Sequence, residues 1–171
     1  MGGFVNPHHV YLSPGDANLI DATRLLRKPP IGRQRLIEEL QQAARDQDFD
    51  RYGQLVADDA TFRVAGVPAG LGGVVTGRDA IVDQIRQRAG AASFEIKQMF
   101  GDDKHVCVVG KVTAERYIGS RYLRGADRLY STYECIVYRI AEGKVVESTA
   151  YINWLDPYVQ VGLVDLGTLT T

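Results

Sequence analysis

From Arg33 onward the apolar positions fall into two alternating periods. Leu36, Ile37, Leu40, Ala43 and Ala44 recur at helical spacing, and a second helix is expected from Asp48, with Phe49, Tyr52, Leu55 and Val56 turned inward. A short strand is expected in "DDATFRVA", then a loop in the glycine-rich "AGLGGVVTG". A third helix follows in "RDAIVDQIRQRA", where Ile81, Val82 and Ile85 share a face. Beyond it the period drops to two: "SFEIKQMF", a "GDDK" turn, "HVCVVGKVTAERY", a loop near "GSRYLRGADR", "LYSTYECIVYRI", an "AEG" turn and "KVVESTAYIN". Helices first and a strand meander afterwards predict an α+β domain whose helices cover one face of a mostly antiparallel, curved sheet.

Alternation also raises a chemical question. In "KVTAERYIGS" it puts Val112, Ala114, Arg116 and Ile118 on one face and Lys111, Thr113, Glu115 and Tyr117 on the other. Arg116 thus stands on the apolar side.

Residues 1–33 carry Pro7, Pro14, Pro29 and Pro30, have no sustained period, and are expected to form an irregular arm; residues 34–171 form the domain. The arm admits a short helix around "GDANLIDATRLL" capped by Asp16. His8 and His9 project differently from one another and find only His105 elsewhere, so no metal site is expected from them. The 171 residues are enough for one cored domain, and a formal net charge of -1 supplies no field for nucleic acid or an anionic membrane. The one basic stretch, "RLLRKPPIGRQR", lacks interleaved aromatics and reads as a solvated linker.

Cys107 and Cys135 lie in separate strands and form no CxxC, so no disulfide framework is expected, and a reducing, cytoplasmic compartment fits. The start "MGGFVN" has neither a basic region nor an apolar core, and no apolar run approaches membrane-spanning length. Gly70, Gly72, Gly73 and Gly77 have the wrong spacing for a P-loop or a dinucleotide fingerprint; neither a cofactor nor a metal is expected.

The phrases "DQDFDRYGQLVADDATF", "GRDAI" and "VYRIAEGKVVESTAYINWLD", in that order over residues 34–165, resemble the SnoaL-like polyketide cyclase branch of the nuclear transport factor 2-like superfamily. The resemblance implies a cone: a bent sheet around a long helix, leaving an apolar pocket open at one end. That superfamily includes ketosteroid isomerase, limonene epoxide hydrolase, cyclases and binders without activity, so function has to be argued from the site. Ketosteroid isomerase's base would fall at Val64 and its oxyanion-hole pair at Leu40 and Ile136. In limonene epoxide hydrolase the arginine would coincide with Arg116, the flanking aspartates with Ile118 and Ala150, and the water-holding tyrosine and asparagine with Phe62 and Val64. Neither acid/base set can be rebuilt from these.

With the parity fixed by this resemblance, the pocket face of the long strand carries Val112, Ala114, Arg116 and Ile118. That of the next strand carries Tyr130, Thr132, Glu134 and Ile136, and that of the last Ser148 and Ala150. Tyr52, Phe62 and Val64 are expected to add to the lining, and Asn153 and Trp154 to edge it. Arg116 and Glu134 are the pocket's only charges on these strands and are expected to meet, either as a structural ion pair or as a catalytic pair in which Arg116 steadies negative charge and Glu134 moves a proton. The expected ligand is a small hydrophobic carbonyl or polyketide-like compound, turned over or merely bound. The outer face, with Lys111, Thr113 and Glu115 and with His105 beside Cys107, is expected to pair two copies of the chain.

Overall fold

The apolar stripe that begins at Leu36 forms α1 (Ile31–Asp46), which buries Ile37, Leu40 and Ala43. This helix starts inside the basic stretch, so Arg33 and Arg35 stand on a helix rather than in a linker. It stops where Gln47 takes a left-handed φ of 58°, and Asp48 then caps α2 (Phe49–Gln54) by accepting the Arg51 N–H at 2.9 Å. The computed structural model of the chain describes residues 27–66, 73–90, 92–114, 129–160, 165 and 167. The expected helix near Asp16, the histidines of the arm, the first part of the glycine-rich loop, and the loop that carries Arg116 and Ile118 lie outside the described residues.

After β1 (Val56–Val64) the chain forms a short β2 (Val74–Thr76) within the segment read as a loop, then α3 (Arg78–Arg88). Four long strands complete the sheet: β3 (Ala92–Gly101), β4 (His105–Ala114), β5 (Tyr130–Ala141) and β6 (Lys144–Ile152). A last short helix, α4 (Leu155–Gln160), follows. The strand order is β2-β1-β6-β5-β4-β3, antiparallel except where β1 runs parallel to β6. The fold is therefore α+β with one mixed, open sheet. Register shifts between Val56 and Thr61, between Ile96 and Gln98, and between Arg139 and Ile140 bend it. The β5–β6 hairpin turns at Glu142 and Gly143, both at positive φ, the backbone a tight two-residue turn requires.

Period-two burial is clearest on β4, where Val106, Val108, Gly110 and Ala114 are buried and the residues between them are not. Of these, Val106 and Val108 share one core cluster with Ile37, Leu40 and Ala43 of α1, and Ile37, Leu40, Val106, Val108 and Ala150 are almost solvent-free at its centre. Deleting the Leu40 side chain (Leu40→Ala) is expected to cost about 2–5 kcal/mol in urea unfolding, because a helix anchored on two sides cannot collapse into the space. No described helix is long and apolar enough to cross a membrane.

Candidate active site

Between the helices and the concave face of the sheet lies a cavity of about 180 Å³. Strand β5 supplies its longest wall, Tyr130, Thr132, Glu134, Ile136 and Tyr138, five alternate side chains from one face. Opposite stand Gln41 and Ala44 of α1, Tyr52 of α2, Phe62 of β1, and Ile85 and Arg88 of α3. Ala92, Ser93 and Phe94 of β3, Val112 of β4, Ser148 and Ile152 of β6, and Pro157 of α4 complete it.

Gly110 lies directly across from Glu134 in the β4–β5 register, and a Cβ there would overlap the ring of Phe94. The missing side chain therefore seats that ring against the sheet. Gly110→Ala is expected to drive the ring into the cavity and to destabilise the chain by about 1–3 kcal/mol, read from its urea midpoint.

Among the described residues, two charged side chains face this space, Glu134 and Arg88. Glu134 makes no hydrogen bond or ion pair among the described residues, and burial pushes its carboxyl up to about 7, while the positive charge of Arg88 pulls the other way. The Arg88 guanidinium packs 5.6 Å from the centroid of the Phe62 ring and likewise has no carboxylate partner among the described residues. The Tyr138 hydroxyl accepts a 2.7 Å hydrogen bond from Gln41 Nε2, leaving its own proton to donate. Burial, with the charge of Glu134 adding to it, pushes Tyr130 up to about 12 and Tyr138 well above its usual range. Both phenols stay protonated donors at neutral pH. Among the described residues no group of three or more His, Cys, Asp or Glu side chains is placed to hold a metal ion. A carboxyl able to take or give a proton near neutrality, a guanidinium and phenol donors around an oil-lined space suit proton transfer next to a developing oxyanion.

The sequence profile of the SnoaL-like domain matches residues 37–148, more than half of the chain. The chain belongs to the SnoaL-like domain family. Solved structures agree on the fold. An epoxide hydrolase from M. tuberculosis, of the limonene epoxide hydrolase-like kind, superposes with a TM-score of 0.57 at 18% identity, over 80% of this chain and 95% of that one. A candidate polyketide cyclase from Xanthomonas campestris pv. campestris gives 0.59 at 18% identity, over 77% and 99%. A nuclear transport factor 2-like protein from Burkholderia xenovorans gives 0.62 at 16% identity, over 77% and 96%. No curated protein sequence matches significantly.

Within this SnoaL-like domain the pocket residues expected from sequence separate by depth. Tyr52, Phe62, Val112, Tyr130, Thr132, Glu134, Ile136 and Ser148 all line the cavity. Val64, Ala114 and Ala150 are buried in the core and do not reach the cavity wall. Asn153 is exposed; its carbonyl accepts from the Thr132 hydroxyl at 3.5 Å. Trp154 does not edge the cavity, because its Nε1–H turns to the Ala65 carbonyl at 3.4 Å and its ring stacks near Tyr158. Arg116 and Ile118 are outside the described residues; among the described residues the cation that acts on Glu134 is Arg88. Sequence reasoning passed over Arg88 and Gln41, although each carried a signal. Arg88 continues the Ile81–Ile85 stripe at i+4, i+7 spacing, and Gln41 sits between Ile37 and Ala44 in the same way.

Proposed function

We propose that the chain is a cofactor-independent acid/base enzyme acting on a small hydrophobic carbonyl compound of polyketide-like character. Glu134, ionised, takes a proton from the carbon beside the carbonyl; the C–H electron pair moves onto the carbonyl oxygen as an enolate, which Arg88 and the phenol donors steady. Returning the proton from Glu134 to another carbon gives isomerisation; attack of the enolate carbon on a second carbonyl, whose new alkoxide takes that proton, gives cyclisation; and loss of a β-hydroxyl as water, carrying that proton away, gives dehydration. Carboxyl and guanidinium supply both charges this needs, so no metal or nucleotide enters the scheme. The single observation that carries the reading is the Glu134 carboxyl on the cavity wall, without a hydrogen-bond or ion-pair partner among the described residues and raised to about 7.

The test is solvent exchange. A hydrophobic 1,3-dicarbonyl compound incubated with the protein in D₂O is expected to gain deuterium at the central carbon faster than in buffer, at a rate that climbs as pH rises through about 7 and Glu134 ionises. A second reading, a binder without turnover, is favoured by Val64, Ile136 and Ala150, which are apolar where the enzymes this chain resembles place catalytic groups. Saturable binding of such compounds with no enhanced exchange would decide for the binder.

A further inference from the structure

On the sheet face away from the cavity, Cys107 of β4 and Cys135 of β5 bring their sulfurs to 3.2 Å. Both are free thiols and only partly buried. The register opposes Cys107 to Val137 and Val109 to Cys135, so the two lie on a diagonal of adjacent strands. We infer that Cys107 and Cys135 form a dithiol modification site that small disulfide compounds convert reversibly into an intrachain disulfide.

The chemistry balances without any group from the cavity. One cysteine sulfur attacks the reagent's S–S bond, giving a mixed disulfide and releasing one reagent thiol. The second sulfur attacks the protein-bound sulfur, expels the second reagent thiol and closes the Cys107–Cys135 bond. Two electrons pass to the reagent, and the two cysteine protons leave with its two thiols. The separation makes the second step intramolecular, with the partner sulfur already in contact, so the mixed disulfide does not accumulate. Burial, reinforced by the Cys135 sulfur, pushes Cys107 up to about 12, so its proton stays on at neutral pH and closure quickens with pH.

The full chain, reduced and then incubated with oxidised glutathione, would be alkylated with N-ethylmaleimide and weighed intact. The expected product is a monomer lighter by two hydrogens, taking up no maleimide, whose peptide map joins residues 107 and 135 and which dithiothreitol restores. In Cys135→Ser the second step is impossible, and the glutathione adduct on Cys107 is expected to be about tenfold more abundant than in the wild type. Two maleimides on the treated wild type, a persistent glutathione adduct equal to that of Cys135→Ser, or a chain-to-chain disulfide would each overturn the inference. The last outcome is a genuine alternative, because the pair lies on the face expected from sequence to meet a second copy.

Discussion

Glu134→Gln is expected to lower the exchange rate about 100- to 10,000-fold and, at the same time, to make the folded chain more stable above pH 7. The two effects share one cause. In the fold the carboxyl keeps its proton up to about pH 7, whereas its ordinary value is 4.5, so between those limits the folded state binds more protons than the unfolded one. Stability must then fall as pH rises through that window, with the loss complete above it and absent below about 4.5. The ceiling on that loss is roughly 3 kcal/mol, reduced by whatever an unpartnered amide costs in the same place. A glutamine cannot ionise, so urea unfolding of the variant should show no such slope between pH 5 and 8. A structural role makes the opposite forecast: removing half of a useful ion pair would weaken the fold. Full exchange activity in Glu134→Gln, or a variant less stable than wild type at pH 8, would remove Glu134 from the mechanism.

What the sequence disclosed follows from which physical signals are periodic. Half-buried elements imprint burial on the chain, so α1 and β4 could be read from Ile37, Leu40, Val106 and Val108 before any coordinates. Short or atypically bounded elements leave no such imprint. Strand β2 is three residues beside glycines, and α4 contains Pro157, which a helix tolerates in its first turn but which reads as a breaker. Helix α1 opens at Pro30 with no side-chain cap, which hid its first residues in the basic stretch. At the site, parity assigns a face but not a depth. Ala150 and Ile152 share a face of β6, yet Ala150 is sealed in the core and Ile152 lines the cavity. On a strand a charge among valines is conspicuous, as at Arg116, which lies outside the described residues. On a helix the same anomaly is spread over seven residues, so Arg88, two positions after Arg86, does not stand out.

Those two arginines carry the second large prediction. Positions 86 and 88 are turned about 200° apart around α3. Arg86 pairs with Asp83 and lies 5.0 Å from the Phe49 ring centroid, whereas Arg88 lines the cavity. Arg88→Met keeps much of the length and apolar bulk of the side chain and removes the charge. It is expected to slow exchange about 100- to 1,000-fold, as loss of a group aimed at the developing oxyanion does. It should also move the pH midpoint of the rate upward, because the positive charge of Arg88 holds Glu134 below where burial alone would put it. Arg86→Met should leave both rate and midpoint alone. The decisive comparison is with Glu134→Gln as background: Arg88→Met can no longer shift a titration that does not exist, yet should still weaken binding of an enolate mimic. An unchanged midpoint in Arg88→Met, or an equal shift in Arg86→Met, would mean that the guanidinium in the cavity is not coupled to the carboxyl across from it, and the proposed proton transfer would lose its electrostatic partner.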